Sequence, residues 1–134
     1  MSLVTLIASD KPLPLADDQE FQIYRSGGNE IKFCSGFAVR EHSYYKDAVD
    51  ELDLQMKPYQ YELSLDLDSQ ADLDHLLNYL RENFAPGEEV ELWAVWAGGC
   101  QEDKPARYRG RLEEFDQETL GMLEKWHTCI TIEI

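Results

Sequence analysis

The stretch SQADLDHLLNYLRENFAPG, Ser69 to Gly87, decides how this chain folds. Leu73, Leu76, Leu77, Leu80 and Phe84 recur at i, i+3, i+4 and i+7, which lays one apolar stripe along a helix. Ser69 with Asp72 three residues on is a capping-box signature, because a serine hydroxyl there satisfies an amide that the first turn leaves unpaired. Pro86-Gly87 supplies the stop. Strand-like runs lie on either side, Tyr59 to Asp66 and Val90 to Ala97.

Working outward, Tyr59, Tyr61, Leu63 and Leu65 alternate with polar residues, as a half-buried strand does. Val90, Leu92, Ala94 and Trp96 share one face of the next strand, and Glu91, Trp93 and Val95 the other. Gly98-Gly99-Cys100 to Pro105 reads as a loop, after which Tyr108, Gly110 and Leu112 alternate with Arg107, Arg109 and Arg111. Asp116 caps a second helix running to about Trp126, with Phe115 and Leu120 at staple spacing. Thr128, Ile130, Ile132 and Ile134 alternate in a last strand. The order from Tyr59 is therefore β-α-β-β-α-β, the pattern of a ferredoxin-like unit. It predicts one sheet face packed under two helices and an opposite face carrying Glu62, Glu91, Trp93, Arg107, Arg109, Arg111, His127 and Cys129.

Upstream, Leu3 to Ile7 reads as a buried strand, ended by the proline-punctuated segment Asp10 to Leu15. Phe21 to Tyr24 and Ile31 to Phe33 flank Ser26-Gly27-Gly28-Asn29, a hairpin turn, since glycine tolerates positive φ. Ile31, Phe33, Phe37 and Val39 share parity, so the second arm is read as continuing to Val39, with Gly36 marking a bulge. Ser43 to Leu52 has helical spacing at Tyr45, Ala48, Val49 and Leu52. The fold class expected is α+β: a mixed, largely antiparallel sheet with helices packed on one face. Residues 1–134 are read as a single domain, in which 1–58 extend or partly cover the βαββαβ half, 59–134.

Charge narrows the partners. The chain has 134 residues and a net charge of −15, with −4 on residues 1–58 and −11 on 59–134. Such a field repels nucleic acid and anionic membrane and favours cationic partners or plain solubility. Aromatic and basic residues on an open sheet suggest RNA, but the aromatic-glycine RNP pattern is absent and the sign is wrong. Cys34, Cys100 and Cys129 are odd in number, without a CxxC, which fits a reducing compartment rather than a disulfide framework. The apolar run Leu3 to Ala8 is too short for a signal-peptide core or a bilayer span, so the cytoplasm is the expected location.

Three groups of residues invite chemistry. Arg107, Arg109 and Arg111 are three of six arginines, and guanidinium forks suit an anion or carboxylate. The competing structural reading is a hairpin with Arg111 opposite Glu91, Arg109 opposite Trp93 and Arg107 opposite Val95, giving an ion pair and a cation–π contact. His127 and Cys129 fall two apart on one strand, and a metal would need two more donors from Cys34, Cys100 and His42, for which no spacing speaks. Nothing local lowers the Cys129 pKa, so a Cys–His nucleophile is disfavoured. Asp66-x-Asp68-x-Gln70-x-Asp72 has Ala71 and Leu77 where a calcium loop needs glycine and glutamate. Gly98-Gly99-Cys100 lacks the glycine patterns of phosphate loops. His75 lies at the border of the helical stripe.

The sequence therefore points to a non-catalytic interaction or regulatory domain that meets a protein partner or its own copy, as a homodimer, with no cofactor. The alternatives are an anionic-ligand sensor on Arg107, Arg109 and Arg111, with Trp93 and Glu91 beside them, and an enzyme or metalloprotein around His127 and Cys129.

Overall fold

The computed structural model describes residues 2–18, 20–43, 45–97, 105–124 and 127–134. Among these described residues nine strands and three α-helices follow in the order β1 (Ser2–Ser9), β2 (Ala16–Asp17), β3 (Glu20–Ser26), β4 (Asn29–Ser35), β5 (Ala38–Glu41), α1 (Lys46–Asp50), β6 (Tyr59–Ser64), α2 (Gln70–Asn83), β7 (Glu89–Ala97), β8 (Ala106–Arg111), α3 (Gln117–Gly121) and β9 (Thr128–Glu133). They make a seven-stranded open sheet, β2-β5-β6-β1-β7-β9-β8, and a separate two-stranded sheet, β3-β4. The class is α+β, and the sheet is mostly antiparallel.

α2 begins as its sequence dictates. The Ser69 hydroxyl accepts the Asp72 N–H at 3.3 Å, while the Asp72 carboxylate reaches past the cap to the Asp66 N–H at 2.7 Å. The stripe then buries Leu73, Leu76, Leu80 and Phe84 in a core with Ile7, Val39, Leu63, Leu92, Ile130 and Ile132. Fully burying one such side chain stabilises by about 1.5–3 kcal/mol. Tyr79 adds a tie on the same helix, donating its hydroxyl to the Pro14 carbonyl at 2.7 Å. Asp116 caps α3 by accepting the Thr119 N–H at 2.8 Å, and Phe115 and Leu120 are both buried in this core.

Sheet order departs from the ferredoxin-like arrangement at two places. β1 does not extend the sheet; it lies between β6 and β7, antiparallel to both, so β6-α2-β7 is a parallel crossover split by the N-terminal strand. β8 does not form a hairpin with β7 either. β9 fills that place, antiparallel to β7 and parallel to β8. The cause is burial: β9 is buried along most of its length, whereas β8, with its three arginines, is exposed nearly throughout and goes to the edge.

Three further expectations need correction. Helices do not lie on one face alone, because α1 and the connector after it cover the other, where Val49 packs with Val4, Leu6, Ala8, Trp93, Val95 and Cys129. The arm from Ile31 to Val39 is not continuous: Gly36, at φ +121°, turns the chain, so Ile31 and Phe33 belong to the hairpin and Phe37 and Val39 to the main core. α3 is short and gives way to a 3₁₀ turn at Met122–Glu124; Trp126 and the loop Gly98-Gly99-Cys100 lie outside the described residues.

Candidate functional site

β7, β9 and β8 set the residues singled out above into rows. Trp93 stands opposite Cys129, and Cys129 opposite Arg107. One row along, Glu91, Thr131 and Arg109 align, and beyond them Glu89, Glu133 and Arg111. Because Cys129 is small, the Arg107 side chain crosses it and places its guanidinium over the Trp93 ring, 5.1 Å from the centroid. Arg109 pairs with Glu89. The hairpin pairs Arg111–Glu91 and Arg109–Trp93 therefore do not form, since β9 separates the strands that were to carry them.

Arg107 and Glu91 are spent on a clamp. Arg107 donates from Nη2 to the Leu54 carbonyl at 3.0 Å. Glu91, only 8% exposed, accepts with one oxygen from the Lys57 backbone N–H at 2.9 Å and from the Trp93 indole N–H at 3.2 Å. The Arg107–Leu54 and Lys57–Glu91 bonds hold the α1–β6 connector down on the sheet, and that connector carries positive φ at Asp53 and Gln55. Lys57 closes it with an ion pair to Asp10 at 2.6 Å, and this hydrogen bond raises the ammonium above the usual lysine range. Sequence reasoning named Arg107, Glu91 and Trp93 but missed Lys57 and the Leu54 carbonyl, because an irregular connector has no periodicity to read.

The Cys–His pair is not assembled for chemistry. His127 precedes β9 with φ +49°, so the strand alternation that would align it with Cys129 stops short of it. Cys129 is fully buried, and burial first, then the Glu91 carboxylate, pushes its thiol up to about 11. At neutral pH that thiol stays protonated and is a poor nucleophile. His42 is buried beside Lys46, Asp50 and Glu62, and burial lowers its pKa. Among the described residues no group of three or more His, Cys, Asp or Glu is placed to hold a metal ion; Cys100 lies outside them, and of Cys34 only the backbone is described.

What faces outward is the edge. β8 ends the sheet, and no described strand pairs with its far side. The Ala106 N–H bonds the His127 carbonyl at 2.7 Å, so by strand alternation the backbone groups of Arg107, Arg109 and Arg111 point away from the sheet. Arg111 makes no ion pair among the described residues. Beside the edge, between β8 and α3, lies a cleft of about 210 Å³, lined by Tyr108, Gly110, Phe115, Met122 and Ile130 and also by the charged Arg109, Arg111 and Glu114. A Cβ on Gly110 would meet nothing within 4 Å, so the cleft reaches the strand backbone. It is smaller than the few hundred Å³ that a drug-sized ligand occupies, but it suits one apolar side chain. No described helix is long and apolar enough to cross a membrane. No protein-family model, curated protein or solved structure matches the chain.

Proposed function

We propose that this chain is a non-catalytic protein-interaction domain that meets its partner by strand addition. The observation that carries this reading is the β8 edge, with outward backbone groups at Arg107, Arg109 and Arg111 and a side-chain-sized cleft beside it. Main-chain bonds to an added strand supply affinity, and a pocket for alternate side chains supplies specificity. The net charge of −15 keeps nucleic acid and anionic membrane away from it.

The test is a display selection of strand-forming peptides on the purified protein. Binders are expected to be lost with Arg109→Pro, which removes an outward N–H without touching the β8–β9 ladder, and kept with Arg109→Ala. Binders indifferent to both changes, or none at all, would end this reading. Arg111, which makes no ion pair among the described residues, favours a second one, an anion sensor. A melting temperature raised by citrate or phosphate, with the rise abolished in Arg111→Ala, would support it.

A further inference from the structure

The β3–β4 hairpin stands apart from the main sheet. Its strands pair with each other from Glu20↔Ser35 to Ser26↔Asn29, and no third described strand joins them. The turn is built for it: Gly27 and Gly28 take φ +58° and +83°, the left-handed pair that suits a two-residue hairpin loop. A lone two-stranded hairpin is marginal in water, and this one leaves Ile23 54% and Ile31 53% exposed. It is also electrically neutral, with Glu20 and Glu30 against Arg25 and Lys32, in a chain of net charge −15. Two such neutral hairpins bring no net charge of their own against each other.

The register fixes which backbone groups are open. Ser26 and Asn29 close the two-residue turn as a hydrogen-bonded pair, so Tyr24–Ile31 is also bonded, and Arg25–Glu30 and Ile23–Lys32 are the non-bonded pairs between them. The N–H and C=O of Glu30 and Lys32 therefore point away from β3, along the edge of β4 with which no described strand pairs. An antiparallel copy of β4 laid on that edge has one register that suits its charges, with the two-fold axis at Ile31. Glu30 then falls opposite the partner's Lys32, and the two exchange both backbone bonds. Ile31 meets the partner's Ile31 as the closer, non-bonded pair. Centring on Glu30 or on Lys32 would set like charges against each other. The β3 edge offers no equivalent, since centring on Ile23 sets Arg25 opposite the partner's Phe21.

We propose that two copies of this chain associate through their β4 edges, forming a four-stranded antiparallel sheet, β3-β4-β4-β3, about a two-fold axis at Ile31. This goes beyond the interaction reading above, since it uses the β4 edge rather than β8 and its partner is the chain itself. The contact is isologous, so every substitution acts twice.

Sedimentation equilibrium from micromolar to millimolar protein tests it. Wild type is expected to dimerise with concentration, and Lys32→Glu to weaken the dimer about tenfold, because it turns two attractive pairs into repulsive ones. The triple variant R25E/E30K/K32E restores both the pairs across the axis and the Arg25–Glu30 type of pair within each hairpin. It carries the same net charge as K32E, so it should recover the dimer. Equal weakening of both variants would mean general repulsion, and no weakening in either would mean another surface; each overturns the pairing. A wild type that stays monomeric yet takes peptides at β8 overturns it and leaves the interaction reading standing. A monomer that takes none overturns both.

Discussion

Cys129 shows how one side chain can organise a face by being small. Its position between Trp93 and Arg107 lets the guanidinium cross to the indole, and its burial keeps the thiol protonated. Two outcomes follow at this scale. In native protein at neutral pH, peptide mapping after iodoacetamide treatment should find Cys129 unmodified, and it should be modified once urea is added. A Cys129 that reacts before unfolding would contradict the buried row. The linkage to pH also has a definite sign. Below 9.0, the ordinary thiol value, folded and unfolded chains both hold the proton. Between 9.0 and about 11 the unfolded chain ionises first, so stability falls as pH rises, by at most about 1.4 kcal/mol per unit. Cys129→Ala should flatten that part of a urea-denaturation series.

Among the elements, the α1–β6 connector is fastened by few bonds and is correspondingly sensitive. Glu91→Leu leaves the Trp93 indole N–H and the Lys57 amide without their acceptor, and should cost about 2–3 kcal/mol in urea denaturation. Glu91→Gln keeps an oxygen acceptor and should cost less than half as much. Equal losses would mean that the charge, not the hydrogen bonds, holds the connector. This is also where reading from sequence stopped. Periodicity exposed α2, β6, β7 and β9, and even the sheet faces on which Glu91, Trp93, Arg107 and Cys129 lie, because a face needs only parity. It could not say which strand lies beside which. Arg107 reaches Trp93 only because β9 comes between β7 and β8, and no local pattern encodes that.

For the molecule as a whole, the excess of acids is the governing quantity. The ion pairs among the described residues, such as Lys11–Glu88 and Arg25–Glu30, are largely exposed, and each is worth about 0–1 kcal/mol at most. Repulsion across a chain of net charge −15 should outweigh them. Moderate sodium chloride should therefore raise the melting temperature in a calorimetric scan; a fall would show that the pairs dominate. At this scale the α+β class was legible, since alternation and helical stripes sum to it. The place of β1 was not, because its neighbours, β6 and β7, lie some fifty to ninety residues further along the chain.

That central position of β1 bears on how the protein is made. Val4, Leu6, Ile7 and Ala8 leave the ribosome well before β7, which completes the pairing of that strand and ends at Ala97. Until then an apolar strand lacks one of its two neighbours, and its closure spans most of the chain, which slows folding and exposes the nascent polypeptide to aggregation. Dependence on chaperones during translation is thus the expected consequence of this strand order.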